Sequence, residues 1–200
     1  MRHCLPKTIS MRCTADANFE PVTLQDAKDF CRVDHDADDT LLTSMITVAR
    51  QYAERQTGRV LRASTWQWTL EGVLLPHHKL NVQNAPCSAL TALTVGGVAV
   101  SSTLYEFVPS GNGSNEAPLL AHLTPLEGFP EAADTEKTVL TLSCGWDLAD
   151  IPEAIKQWMK VRVATMYEQR ETFVVGSNVK ELSFNFVDGL LDPYRVPRFA

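Results

Sequence analysis

The sequence predicts an α+β fold in which helices and strands are segregated along the chain. Helix-period apolar stripes occur towards both ends, in residues 36–58 and 151–171. The residues between them change to short runs rich in β-branched and aromatic side chains, broken by turn residues. Segregation of this kind builds a small helical bundle from both ends of the chain, with a β-rich hairpin insertion between the second and third main helices. The expected parts are a flexible N-terminal segment at 1–20, a helical part of the core at 21–58, the β-rich insertion at 59–150, and a C-terminal helix and tail at 151–200 that complete the core.

The first helix follows Pro21-Val22. Thr23-Leu24-Gln25-Asp26 is a capping-box signal, and Leu24, Ala27, Phe30 and Cys31 supply one apolar face. The second helix is the longest element, Asp36 to Gly58. Leu41, Leu42, Met45, Ile46, Ala49, Tyr52 and Ala53 recur at three- and four-residue spacing and form its stripe. Asp36 stands as its cap, Asp39 lies where the helix dipole favours an acid, and Gly58 suits a left-handed C-terminal cap.

Five to seven short strands are expected next. Thr65–Leu70 and Thr138–Ser143 are the clearest, Lys79–Gln83 and Leu104–Val108 the shorter ones, and Leu119–Leu123 is expected to pair with what precedes it. Ala89–Val100 holds two apolar runs around Gly96-Gly97, a hairpin signal. The third main helix starts at Ile151-Pro152-Glu153 with Asp150 as cap, carries Ile155, Trp158, Met159, Arg162, Val163, Met166 and Tyr167 as its stripe, and runs to about Glu171. Residues 172–188 are ambiguous, with TFVV and LSFNF reading as extended about a turn at Gly176-Ser177-Asn178, and the tail 190–195 reads as a short apolar segment stopped by prolines.

Composition bounds the function. Eighteen basic against 24 acidic residues give a formal net charge of −6, which argues against a nonspecific nucleic-acid coat. No run approaches the roughly 18 apolar residues of a membrane span. Cys4, Cys13, Cys31, Cys87 and Cys144 are widely spaced with no CxxC pair, which reads as reduced thiols rather than a disulfide framework.

No constellation for chemistry stands out, and no catalytic, cofactor-binding or metal-binding residue is expected. Asp34, Asp36, Asp38 and Asp39 imitate the start of a calcium loop, but Asp39 sits where the loop needs Gly and Met45 where it needs Glu. His77-His78 lacks partners at ligand spacing and reads as a turn. Cys144 has no marked base. The alternative reading takes the first two helices as a helix-turn-helix of a DNA-binding regulatory protein, although three acids at the start of the second would repel phosphate.

The ordered segments resemble a known family, the head–tail connector (adaptor) proteins of long-tailed bacteriophages and prophages. The resemblance rests on Val22-Thr23-Leu24-Gln25-Asp26-Ala27-Lys28 with the acids Asp36 to Asp39, on Ala49-Arg50-Gln51-Tyr52-Ala53-Glu54-Arg55-Gln56-Thr57-Gly58-Arg59 followed by Thr65-Trp66, on Ile151-Pro152-Glu153-Ala154-Ile155-Lys156 leading to Tyr167-Glu168-Gln169-Arg170-Glu171, and on Leu190-Leu191-Asp192-Pro193-Tyr194-Arg195. It implies a structural protein of the virion's head–tail junction, made in the host cytoplasm. Such a protein forms a ring, commonly dodecameric, below the portal. The ring extends the DNA channel and docks the next head-completion or tail protein. DNA passes through without sequence-specific binding, and neither cofactor nor membrane is involved. On this resemblance the interface candidates are Trp158, Tyr167, Arg170, Phe184, Leu190, Leu191, Tyr194 and Arg195. The tail Phe184–Arg195 is expected to dock on the portal, with its deletion leaving the fold intact.

Overall fold

A computed structural model of the chain describes residues 6–110, 120–132, 136–169 and 187–196. The fold is α+β, with three α-helices and eight strands among the described residues. It divides into two compact units, one of residues 1–17 with 62–146 and the other of residues 18–61 with 147–200.

The first unit is the β unit. Its strands are β1 (Lys7–Asp16), β2 (Ser64–Glu71), β3 (Leu80–Asn81), β4 (Cys87–Val95), β5 (Val98–Ala99), β6 (Tyr105–Val108), β7 (His122–Pro125) and β8 (Lys137–Cys144). They form a five-stranded sheet in the order β1-β2-β8-β4-β5 and a three-stranded sheet in the order β3-β7-β6, with every pair antiparallel. β8 alternates strictly: Thr138, Leu140, Leu142 and Cys144 are buried while Val139, Thr141 and Ser143 are half-buried. That period of two is what one core-facing sheet surface requires. Trp68 and Leu70 of β2, Leu93 and Val95 of β4, and Leu123 of β7 complete the same core. The hairpin between β4 and β5 turns on Gly96 and Gly97, both at positive φ, as two-residue loops demand.

Residues 1–20, read from the sequence as flexible, contain instead β1, which runs antiparallel to β2 from Lys7↔Glu71 to Asp16↔Ser64. Nine of its ten residues are exposed, so it carries no apolar alternation, and a strand held mainly by backbone pairing leaves little trace in composition.

The second unit is helical. Helix α1 (Leu24–Cys31) has the full capping box: Thr23 Oγ1 accepts from Asp26 N–H at 3.0 Å, and Asp26 Oδ2 accepts from Thr23 N–H at 3.1 Å. Helix α2 (Asp39–Thr57) ends on Gly58 at φ 69°, a left-handed cap whose N–H donates to Glu54 O. Its start differs from expectation. Asp38 occupies the cap position, and Asp36 turns away to accept from Lys28 Nζ at 2.6 Å. The buried stripe is Leu42, Ile46, Ala49 and Ala53, while Tyr52 is 40% exposed.

Helix α3 (Glu153–Glu168) is entered through Pro152 rather than Asp150, which closes a short 3-10 turn at Leu148–Asp150. Ile155, Trp158, Met159 and Val163 are its buried residues. The three helices pack against one another. On α1 the expected face is altered: Phe30 is 41% exposed, and Lys28 is buried beside Ala27 because its ammonium is drawn to two acids at the start of α2. Among the described residues no helix is long and apolar enough to cross a membrane.

Candidate assembly surface of the helical unit

Three elements build the surface: α2, α3 and the C-terminal strap of residues 187–196. The Tyr52 and Trp158 rings stack with centroids 5.7 Å apart and planes 8° from parallel. Arg162, one turn beyond Trp158, lays its guanidinium 5.0 Å from the Tyr52 centroid and 5.3 Å from that of Trp158. Trp158 is wholly buried and Tyr52 partly open, so Tyr and Arg are presented over a Trp floor. Tyr, Trp and Arg are the side chains that most often anchor protein interfaces. Val48, one turn before Tyr52 on α2, is 50% exposed and extends the apolar surface.

The strap is tied to the helices at several points. Trp158 Nε1 donates to Asp188 Oδ1 at 3.0 Å. Leu191 is fully buried. Arg59 Nε donates to Tyr194 O at 2.6 Å, and Val196 N–H donates to Thr57 O at 2.7 Å. Burial pulls the Arg59 guanidinium below the usual arginine value.

Ion pairs fix the helix starts and the turn after α2. Lys28 Nζ reaches Asp36 and Asp39 at 2.6 and 2.8 Å, which raises the lysine and lowers the Asp36 carboxyl through the hydrogen bond they share. Tyr167 Oη donates to Asp38 Oδ2 at 2.6 Å. Three of the four acids that imitate a calcium loop, Asp36, Asp38 and Asp39, are thus engaged by protein side chains. Arg50 pairs with Glu20 at 2.8 Å and Glu54 at 2.9 Å, and Glu54 also accepts from Leu61 N–H. Among the described residues no group of three or more His, Cys, Asp or Glu is placed to hold a metal ion.

Of the interface candidates, Trp158 and Leu191 lie in the subunit's interior and Tyr167 is half-buried on Asp38. Leu190 and Tyr194 are half-buried, and Arg195 is exposed beside Asp192 at 3.2 Å. Arg170 and Phe184 lie outside the described residues. The expectation that the tail can be removed without cost to the fold is corrected by the burial of Leu191 and the bonds at Arg59 and Thr57. Sequence reading placed Tyr52 and Arg162 on apolar stripes but did not see that they share one aromatic stack. The available signal was Arg162 four residues after Trp158, the spacing that lets a cation cover a ring on one helix face.

Residues 21–95 match the sequence family described as phage gp6-like head-tail connector protein. No curated protein matches the chain. Solved structures share its fold. A chain of the virion of native gene transfer agent (GTA) particle is 16% identical with a TM-score of 0.74, the alignment covering 96% of this chain and 98% of that one. A chain in the neck of empty GTA particle, computed with C6 symmetry, is 17% identical with a TM-score of 0.71 and the same coverage. A chain in the neck of native GTA particle, computed with C12 symmetry, is 18% identical with a TM-score of 0.68, again over 96% and 98%.

Proposed function

We propose that the chain is a structural connector of a virion neck, assembled as a ring below the portal, a reading that proceeds from the match of residues 21–95 to the phage gp6-like head-tail connector family. The family match carries this reading. The fold it shares with a chain of a GTA virion and with chains of GTA necks, over nearly the full length of both partners, supports it. We read the helical unit as a small bundle drawn from both ends of the chain. The comparisons give no support to a DNA-binding regulator.

A cyclic ring needs a heterologous interface, in which one face of each subunit meets a different face of its neighbour. The Tyr52–Arg162 surface with Val48 has the composition for one side. The exposed edge strand β1 offers backbone groups for the other side or for the next ring. The end of the strap, with half-buried Tyr194 and exposed Arg195, is the portal-facing candidate. DNA passes through the ring without sequence-specific contact, consistent with the net charge of −6, since like charge weakens phosphate contact. The protein is made in the host cytoplasm, and it needs no cofactor and no catalytic group.

Deleting the gene tests this role. Filled heads and separate tails that fail to join, restored by supplying the protein, are the expected result. Intact infectious particles in its absence would refute it.

A further inference from the structure

Cys87 opens β4 and Cys144 closes β8, and the sheet register sets them directly opposite each other. The backbone decides what kind of pair this is. Cys87 N–H donates to Ser110 Oγ at 2.6 Å, and Cys87 O accepts from Ser110 N–H at 3.0 Å, so both main-chain groups of Cys87 turn away from β8. The Cys144 carbonyl lies within reach of the Ser64 hydroxyl on β2, at 3.4 Å. The bond between the strands sits one residue along, where Gly145 N–H donates to Pro86 O at 2.8 Å.

Cys87 and Cys144 are therefore a non-hydrogen-bonded antiparallel pair. Pairs of this kind bring the α-carbons to about 4.5 Å and the side chains closest together. That separation falls within the roughly 4.4–6.8 Å that a disulfide spans. Both side chains lie in the β-unit core, Cys87 wholly buried and Cys144 2% exposed. The Cys87 thiol lies within 3.8 Å of the Ala89 carbonyl oxygen.

We propose that Cys87 and Cys144 form a latent redox site, in which a small peroxide closes a cross-strand disulfide that staples β4 to β8. The neighbouring Cys144 thiol holds Cys87 below its ordinary value, while Cys87 and burial push Cys144 up, so the step is written with Cys87 as the attacking sulfur. Cys87 sulfur attacks one peroxide oxygen and the O–O bond breaks. The other oxygen leaves as hydroxide and becomes water with the Cys87 proton. Cys144 sulfur then attacks the resulting sulfenic acid, the S–O bond breaks, and a second water leaves with the Cys144 proton. Two thiols and one hydrogen peroxide give one disulfide and two waters, with the sulfurs oxidised and the peroxide oxygens reduced.

The chemistry stands on the β unit alone. Its timing rests on the connector reading, under which released particles move the protein from a reducing cell interior to an oxidising exterior.

The test uses the full-length protein, fully reduced, then exposed to hydrogen peroxide, quenched with an alkylating agent and digested without reductant. A peptide joining Cys87 to Cys144 is expected to hold most of both cysteines. The oxidised protein is expected to melt higher by about 5 °C or more than the reduced one. Cys13→Ser should leave the linked peptide in place. Recovery of Cys87 and Cys144 as alkylated thiols, or their joining to other cysteines, under peroxide that oxidises the exposed Cys13 would overturn the proposal. The wild-type peptide map decides the matter even if Cys144→Ser disturbs the sheet.

Discussion

The indole Nε1 of Trp158 donates to the Asp188 carboxylate at 3.0 Å, joining the middle of α3 to a strap thirty residues further along the chain. The indole is fully buried and stacked on Tyr52, so one side chain serves both the helix packing and the docking of the strap. A fully buried Trp whose polar atom is satisfied within the subunit belongs to the core before it belongs to any interface.

Trp158→Ala should therefore cost about 3–5 kcal/mol in urea unfolding, the range for deleting a buried aromatic. Trp158→Phe keeps most of the apolar volume and leaves Asp188 without its donor, at about 1–3 kcal/mol. Wild-type stability in Trp158→Ala, with lost assembly, would instead place this ring between subunits.

Truncation after Gly189 should destabilise the helical unit. It removes the buried Leu191, the Tyr194 carbonyl that accepts from Arg59, and the Val196 N–H that donates to Thr57. Losing the Leu191 side chain alone is worth about 2–5 kcal/mol. Arg195→Ala, by contrast, alters an exposed pair and should stay within about 0.5 kcal/mol of wild type while weakening any contact the tail makes with the portal. Thermal unfolding of the two variants side by side checks the contrast.

Stability should fall on the acid side through Asp26 and Asp36. Thr23 holds the Asp26 carboxyl below its ordinary value by its side-chain and backbone hydrogen bonds, and Lys28 does the same for Asp36. A depressed carboxyl stabilises fully above its unfolded pKa of about 4 and loses that contribution as pH drops through the folded value. Thr23→Ala should cost about 1 kcal/mol at neutral pH and flatten part of the acid decline. The raised Lys28 acts in the opposite direction: its contribution is complete below the ordinary lysine value and disappears as pH climbs through the raised one. Stability profiles of wild type, Thr23→Ala and Lys28→Met across pH check both slopes. Identical acid limbs in wild type and Thr23→Ala would contradict the Asp26 assignment.

Gly145 is expected to tolerate no side chain. Its φ is +90°, and a Cβ there would fall on the carbonyl of Arg62, which forms an isolated backbone bridge to Trp146. Gly145→Ala should cost more than about 3 kcal/mol or prevent folding. Gly97→Ala, at φ +82° with open space around it, should cost only about 1 kcal/mol. Circular dichroism melts of the two variants measure the difference.

The elements with strong local signals were legible in the sequence. Thr23-x-x-Asp26, Gly58, Gly96-Gly97 and the alternation of 138–144 each answer to chemistry confined to a few neighbouring residues. What escaped depends on contacts distant in the chain. β1 is held by pairing with residues 48 to 64 positions away and has almost no buried side chain. Asp36 reads locally as a cap, but Lys28 claims it. Cys87 and Cys144 look unrelated in sequence and meet only through the register of β4 on β8. On the surface, the apolar stripes containing Tyr52, Trp158 and Arg162 were visible, whereas the stack they form required the packing of α2 on α3.

The most direct test of the central claim is the native mass of the purified protein mixed with its cognate portal ring. Mass spectrometry of the intact complex should give portal plus a whole ring of this chain, with a copy number matching a cyclic symmetry of the neck. A protein that stays monomeric alone and leaves the portal mass unchanged at saturating concentration would contradict the connector assignment.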